Sequence, residues 1–301
     1  MRTEILNAQN QILCHKSNEQ KYIHEFNSIH HCFHVVEHFL LNGISANPSR
    51  RNQSRPLAHT QESMASLVSE AQVAFPSQLT AKDIYVGPLK NSPQLGNAKV
   101  PVVLFMHGSS GLGLKAIADW QQWLASFGVA SIAPNSFALK DRLTYTSPID
   151  KDTYEKLHAF RASEIEITLK ALQKMPWVDA NKIVLAGTSE GSVPVARYKG
   201  KEFAGRIMFA WSCEDNYFVK AHQTNIPDDQ PILNIISSTD PYFSTSNAWL
   251  GNAQAVGHCG AVLKNNKKAS IVLIPGGPHT VLTFPQAKGP VQGFLADLFK
   301  L

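Results

Sequence analysis

Hydrophobic positions are distributed unevenly along this chain. From Met64 onward they recur in short, regular blocks, whereas residues 1–63 show little periodicity. "VPVVLFMHG" (100–108) is a continuous apolar run ending in glycine, the form of a strand buried on both faces. "KAIADWQQWLASFG" (115–128) follows with helical spacing and a terminal glycine. "VASIAP" (129–134) predicts the next strand, and "KDTYEKLHAFRASEIEITLKALQKM" (151–175) a long amphipathic helix. "KIVLAG" (182–187) reads as a strand and "SVPVARYK" (192–199) as a short helix, where Pro194 is tolerated because the first turn needs no amide donor. Strands are predicted again at 205–212, 231–237 and 270–276, with a closing helix over 290–300. Strands alternating with helices imply an α/β fold: a mostly parallel central sheet with helices on both faces.

The first 63 residues are read as an N-terminal extension, poorly ordered, preceding a catalytic domain over 64–301. They hold seven of the twelve histidines, a polar stretch from Asn47 to Ser63, and a single plausible helix over Tyr22–Leu41. Met64 is an alternative start. His34-Val35-Val36-Glu37-His38 spells a zinc-hydrolase pattern. A catalytic metal there would need a folded domain and a third ligand, so adventitious binding by His30, His31, Cys32, His34 and His38 is the preferred reading.

Composition narrows the partners. The chain has 301 residues, 44% hydrophobic and 17% charged, enough for a full core and unlike a disordered composition. Its net charge of +5 is not gathered into a basic block, which argues against nucleic acid. No apolar run reaches membrane-spanning length, and the start lacks a signal-peptide pattern, so the default expectation is a cytoplasmic protein. Of four cysteines, Cys213 and Cys259 lie near predicted element ends; they are expected as two separate thiols, and a pair would instead point to a periplasmic or secreted protein. Nothing in the sequence speaks to oligomeric state.

The chemistry centres on Gly187-Thr188-Ser189-Glu190-Gly191, a G-x-S-x-G segment directly after a strand and directly before a helix. A tight strand-to-helix turn lifts a serine above the sheet edge, and glycines permit the close backbone approach this requires. A serine nucleophile needs a base. His279, in "IPGGPHTV" after the last strand, is placed to reach it; His158 and His258, on predicted helices, are not. Asp240, closing "PILNIISSTD", is the preferred acid behind His279, with Glu214 and Asp215 as competitors. The oxyanion donors are expected to be the backbone amides of Glu190 and of Ser109, in His107-Gly108-Ser109-Ser110-Gly111. His107 is read as bracing that loop, and Arg161 with Glu164 as a helix-surface ion pair.

Taken in order, "VVLFMHGSSGLG", "WLASFGVASIAPNSF", "MPWVDANKIVLAGTSEGS", "ISSTD" and "PGGPHTV" resemble the dienelactone hydrolase branch of the α/β hydrolases over about residues 80–301. The resemblance implies the α/β-hydrolase fold without a large lid domain, and hydrolysis of small carboxylic esters or lactones by an acyl-enzyme route with no cofactor and no metal. Only 18 residues separate Ser212 from Pro231, too few for a cap domain. One departure stands out: dienelactone hydrolase itself uses a cysteine nucleophile, and here the position is Ser189. That favours a general carboxylic-ester hydrolase. The alternatives are an acyltransferase or peptidase on the same triad, or a non-catalytic binding protein of the same fold.

Overall fold

The computed structural model describes residues 57–301. Two short elements open them: helix α1 (Gln61–Ser69), capped by the Thr60 hydroxyl accepting from the Ser63 amide at 3.1 Å, and strand β1 (Gln72–Phe75). A single helical turn, α2 (Ser77–Thr80), leads to β2 (Tyr85–Pro88). The alternating unit follows: β3 (Val100–Met106), α3 (Lys115–Ser126), β4 (Ala130–Ala133), α4 (Lys151–Leu172), β5 (Val178–Thr188), α5 (Ser192–Arg197), β6 (Gly205–Phe209), β7 (Ile232–Ser237), β8 (Ala269–Ile274) and α6 (Pro285–Phe299).

The eight strands form one sheet in the order β2-β1-β4-β3-β5-β6-β7-β8. β3 to β8 run parallel, and β1 pairs antiparallel with both β2 and β4. This is the α/β-hydrolase architecture, and among the described residues no inserted domain interrupts it. Every residue of β3 is buried because successive side chains enter two different cores. Val102, Leu104 and Met106 pack with Ile165 and Leu169 of α4 and with Val193 and Val195 of α5. Val103 and Phe105 pack on the opposite face with Ile117, Trp120 and Leu124 of α3 and with Val291, Leu295 and Phe299 of α6.

The periodic segments became the expected elements, with local differences. β1 and β2 were not read from the sequence: they precede the strand–helix alternation and form the antiparallel edge of the sheet. β6 stops at Phe209 rather than at Ser212, where Ala210 turns into the left-handed region at φ 50°. α6 begins at Pro285, five residues before the expected start, and carries Pro290 inside it; burial of Ala287 and Val291 outweighs the missing amide. The described residues, 57–301, belong to one compact unit. His59, Thr60 and Ser63, placed in the extension by the sequence, therefore belong to it, and the His59 ring stacks on Phe160 of α4 at 4.4 Å. The remainder of the extension, with its candidate helix at 22–41 and the His34–His38 pattern, lies outside the described residues.

Two further expectations are corrected. Cys213 and Cys259 are joined by a disulfide, with Cα atoms 4.8 Å apart, rather than standing as separate thiols. It ties the connection between β6 and β7 to the one between β7 and β8. Arg161 and Glu164 do pair, at 2.7 Å, but both side chains are fully buried rather than on a helix surface.

Candidate active site

β5 delivers the chain to a sharp turn. Ser189 adopts φ 53°, in the left-handed region that non-glycine residues rarely occupy, and a short 3-10 turn (Ser189–Gly191) passes directly into α5. The flanking glycines are a steric necessity. A Cβ on Gly187 would lie 2.5 Å from the Gly191 carbonyl oxygen, and one on Gly191 would lie 2.1 Å from that of Met106. The Ser192 hydroxyl donates to the Phe209 carbonyl at 2.8 Å and anchors the turn to β6.

The parallel strands end on the same side of the sheet, so their following loops converge there. Beyond β7, Asp240 is fully buried, and its Oδ1 accepts the amides of Tyr242 at 2.9 Å and Phe243 at 3.0 Å. Its Oδ2 lies 2.7 Å from Nδ1 of His279, which follows β8. An ionised carboxylate only accepts, so Nδ1 is the protonated nitrogen and Nε2 is left with its lone pair. The Tyr242 ring meets the imidazole edge-on at 4.6 Å. Ser189, His279 and Ser109 all line one cavity of about 410 Å³.

The competing acids are committed elsewhere. Glu214 accepts the amides of Val256 at 2.7 Å and Gly257 at 3.0 Å, while Asp215 lies at the surface and accepts from His222 at 2.6 Å. His158 is buried in α4 and donates from Nε2 to the Phe218 carbonyl at 3.0 Å; burial holds its pKa down to about 4. His258, expected on a helix, lies among turns and accepts the Gly260 amide at 3.0 Å.

Beneath the turn lies a buried charged cluster that the sequence did not foreshadow. The Glu190 carboxylate is ion-paired to Arg142, accepts the Tyr145 hydroxyl at 2.8 Å and sits 3.4 Å from Nε of Arg161. Arg161 also reaches Glu164, which in turn meets Nε2 of His59 at 3.3 Å. The two guanidinium groups thus balance two carboxylates. Burial, reinforced by the Glu190 charge, raises the Tyr145 pKa and keeps the hydroxyl protonated. His107 joins the cluster as a neutral brace. Its Nε2 accepts the Ser136 amide at 3.2 Å, its Nδ1 donates to the Gly108 carbonyl at 2.7 Å, and burial with the nearby Arg161 pushes its pKa down. Arg142 and Tyr145 come from a loop without periodicity, so no pattern in the sequence could have marked them.

Residues 90–287 match the dienelactone hydrolase family. The chain belongs to the dienelactone hydrolase family. Among solved structures, it is similar to a putative dienelactone hydrolase from Klebsiella pneumoniae subsp. pneumoniae MGH 78578, with 17% identity, 69% of this chain and 90% of that chain covered, and a TM-score of 0.49. It is also similar to Est1E from Butyrivibrio proteoclasticus, with 17% identity, 77% and 94% covered, and a TM-score of 0.48. No curated protein matches it. Within this dienelactone hydrolase family member, no helix among the described residues is long and apolar enough to cross a membrane, and no group of three or more His, Cys, Asp or Glu among them is spaced to hold a metal ion.

Proposed function

We propose that this chain hydrolyses small carboxylic esters or lactones through a Ser189–His279–Asp240 triad and an acyl-enzyme intermediate. The observation that carries the reading is the buried Asp240 carboxylate holding Nδ1 of His279 at 2.7 Å in the loop facing the cavity that Ser189 also lines. Membership of the dienelactone hydrolase family supports the ester or lactone class.

In this mechanism Nε2 of His279 takes the Ser189 proton as Oγ attacks the carbonyl carbon. Asp240 stays ionised and stabilises the imidazolium. The amides of Glu190 and Ser109 hold the oxyanion. His279 then protonates the departing alcohol, and water repeats the sequence on the acyl-enzyme to release the acid. Serine is a weaker nucleophile than the cysteine of dienelactone hydrolase at its free pKa, so the reaction depends more heavily on the His279–Asp240 pair. The disulfide between Cys213 and Cys259 favours an oxidising compartment, periplasmic or extracellular, as the site of action.

The test is labelling with a fluorophosphonate probe, followed by intact-protein mass spectrometry, on the wild type and Ser189→Ala. Stoichiometric labelling that disappears in the variant is the expected result, with turnover of simple esters reduced by about 10⁶. A folded wild type that neither labels nor turns over esters would refute the reading.

A further inference from the structure

Resting on the serine-hydrolase reading above, we propose that the substrate is a neutral ester bearing an aromatic ring. Six aromatic side chains line the cavity: Tyr145, Tyr217, Phe218, Tyr242, Phe243 and Trp249. They come from three separate connections. Tyr145 precedes α4, Tyr217 and Phe218 follow β6, and Tyr242, Phe243 and Trp249 follow β7. Their rings pack on one another rather than scattering. Tyr217 lies parallel to Phe243 at 6.2 Å, and Trp249 stands edge-on to Tyr217 at 5.8 Å and to Tyr242 at 6.4 Å. Three connections converging on one cluster of interlocked rings, mostly edge-on to one another, give a rigid aromatic wall, and such a wall favours offset-stacked or edge-to-face contact with another ring.

Two observations sharpen the class. Trp249 is 45% exposed although it lines the cavity, which leaves much of a large aromatic surface open to solvent. Among the described residues, the lining carries no Lys, Arg, Asp or Glu. The buried cations Arg142 and Arg161 do not line the cavity and are paired with Glu190 and Glu164. A substrate carboxylate entering this cavity would shed water without meeting a positive partner, which is costly. The aromatic wall therefore welcomes a ring and holds no cationic Lys or Arg side chain to pair with a substrate carboxylate. It is also fixed in place: the Cys213–Cys259 disulfide and the Glu214 carboxylate, bonded to the amides of Val256 and Gly257, tie the two aromatic connections after β6 and β7 together.

The experiment compares matched esters on the full chain, with hydrolysis followed by pH-stat. Methyl 3-phenylpropanoate is set against methyl 3-cyclohexylpropanoate, and phenethyl acetate against cyclohexylethyl acetate, so that the ring is tested on either side of the ester. A 4-carboxyphenyl analogue of the first substrate tests charge. The expected result is kcat/KM about tenfold higher for the phenyl member of at least one pair, on the scale of one or two ring–ring contacts. The carboxylate analogue should be slower by a similar or larger factor. Trp249→Leu and Tyr242→Leu should each bring the phenyl and cyclohexyl rates together. Equal phenyl and cyclohexyl rates in both pairs, or a carboxylate analogue as fast as its neutral parent, would overturn the proposal while fluorophosphonate labelling of Ser189 still stood. Loss of that labelling, with no ester turned over, would instead remove the hydrolase reading on which it rests.

Discussion

Arg142→Met tests the charged cluster under the nucleophile turn. In the wild type Glu190 faces Arg142, Tyr145 and Arg161 with no solvent contact, and the cluster of Arg142, Arg161, Glu164 and Glu190 is balanced. Methionine at 142 retains the bulk of the side chain and removes one positive charge. Glu190 then keeps only the Tyr145 hydroxyl and the 3.4 Å contact with Arg161, and the buried cluster carries an unbalanced negative charge. Breaking one side of a buried pair costs about 3–5 kcal/mol. For a unit of this size, each kcal/mol moves Tm by about 2–4 °C, so a fall of about 10 °C is expected. Glu190→Gln should cost a comparable amount, because it strands the two guanidinium groups against Glu164 alone. The double variant restores balance, and its loss should be smaller than the sum of the singles by about 2 kcal/mol. Urea denaturation at pH 7 under non-oxidising and non-reducing conditions supplies all four values. An Arg142→Met variant within about 1 kcal/mol of the wild type, or strict additivity in the double variant, would refute the assignment of Arg142 and Glu190 as mutually dependent.

Other outcomes follow from particular contacts. Asp240→Asn should lower kcat by about 10⁴, by removing the acceptor that sets the His279 tautomer, whereas Glu214→Gln and Asp215→Asn should leave chemistry largely intact; steady-state kinetics on one ester separates them. His158 binds its proton far less readily folded than unfolded, at about 4 against the ordinary 6.5. Between those values the unfolded chain holds more protons, so stability is full above about pH 6.5 and falls as the pH drops toward 4, by about 3 kcal/mol from this group. Denaturation midpoints across that range should show the slope in the wild type and a shallower one in His158→Gln. The disulfide closes a loop of 46 residues, for which chain entropy gives about 4 kcal/mol. Denaturation of Cys213→Ser/Cys259→Ser should register that loss, and KM for aromatic esters should rise as the wall loosens. Unchanged stability in that variant would show that the bridge does not constrain the unfolded chain.

The sequence by itself determined the alternating frame and which loops carry the candidate residues. Local signals sufficed where the cause is local: a buried run such as 100–106 must be a strand between two cores, and Gly187 and Gly191 mark a turn that no side chain could make. The proposed order Ser189, Asp240, His279 rests on parallel strands bringing successive loops to one edge. What the sequence left open depended on which distant segments meet. It preferred Asp240 to Glu214 only by the strand each follows; the tertiary structure adds that Glu214 reaches the amides of Val256 and Gly257 while Asp240 reaches His279. It could not pair Cys213 with Cys259, whose approach is set by two connections folding over the same edge. Nor could it show that Arg161 and Glu164, an ordinary three-residue spacing on a helix, lie in the interior with Arg142 and Glu190. Periodicity reports one element's own inside and outside. Long-range ion pairs, the disulfide and the aromatic wall belong to several elements at once, and only the tertiary structure brings those together.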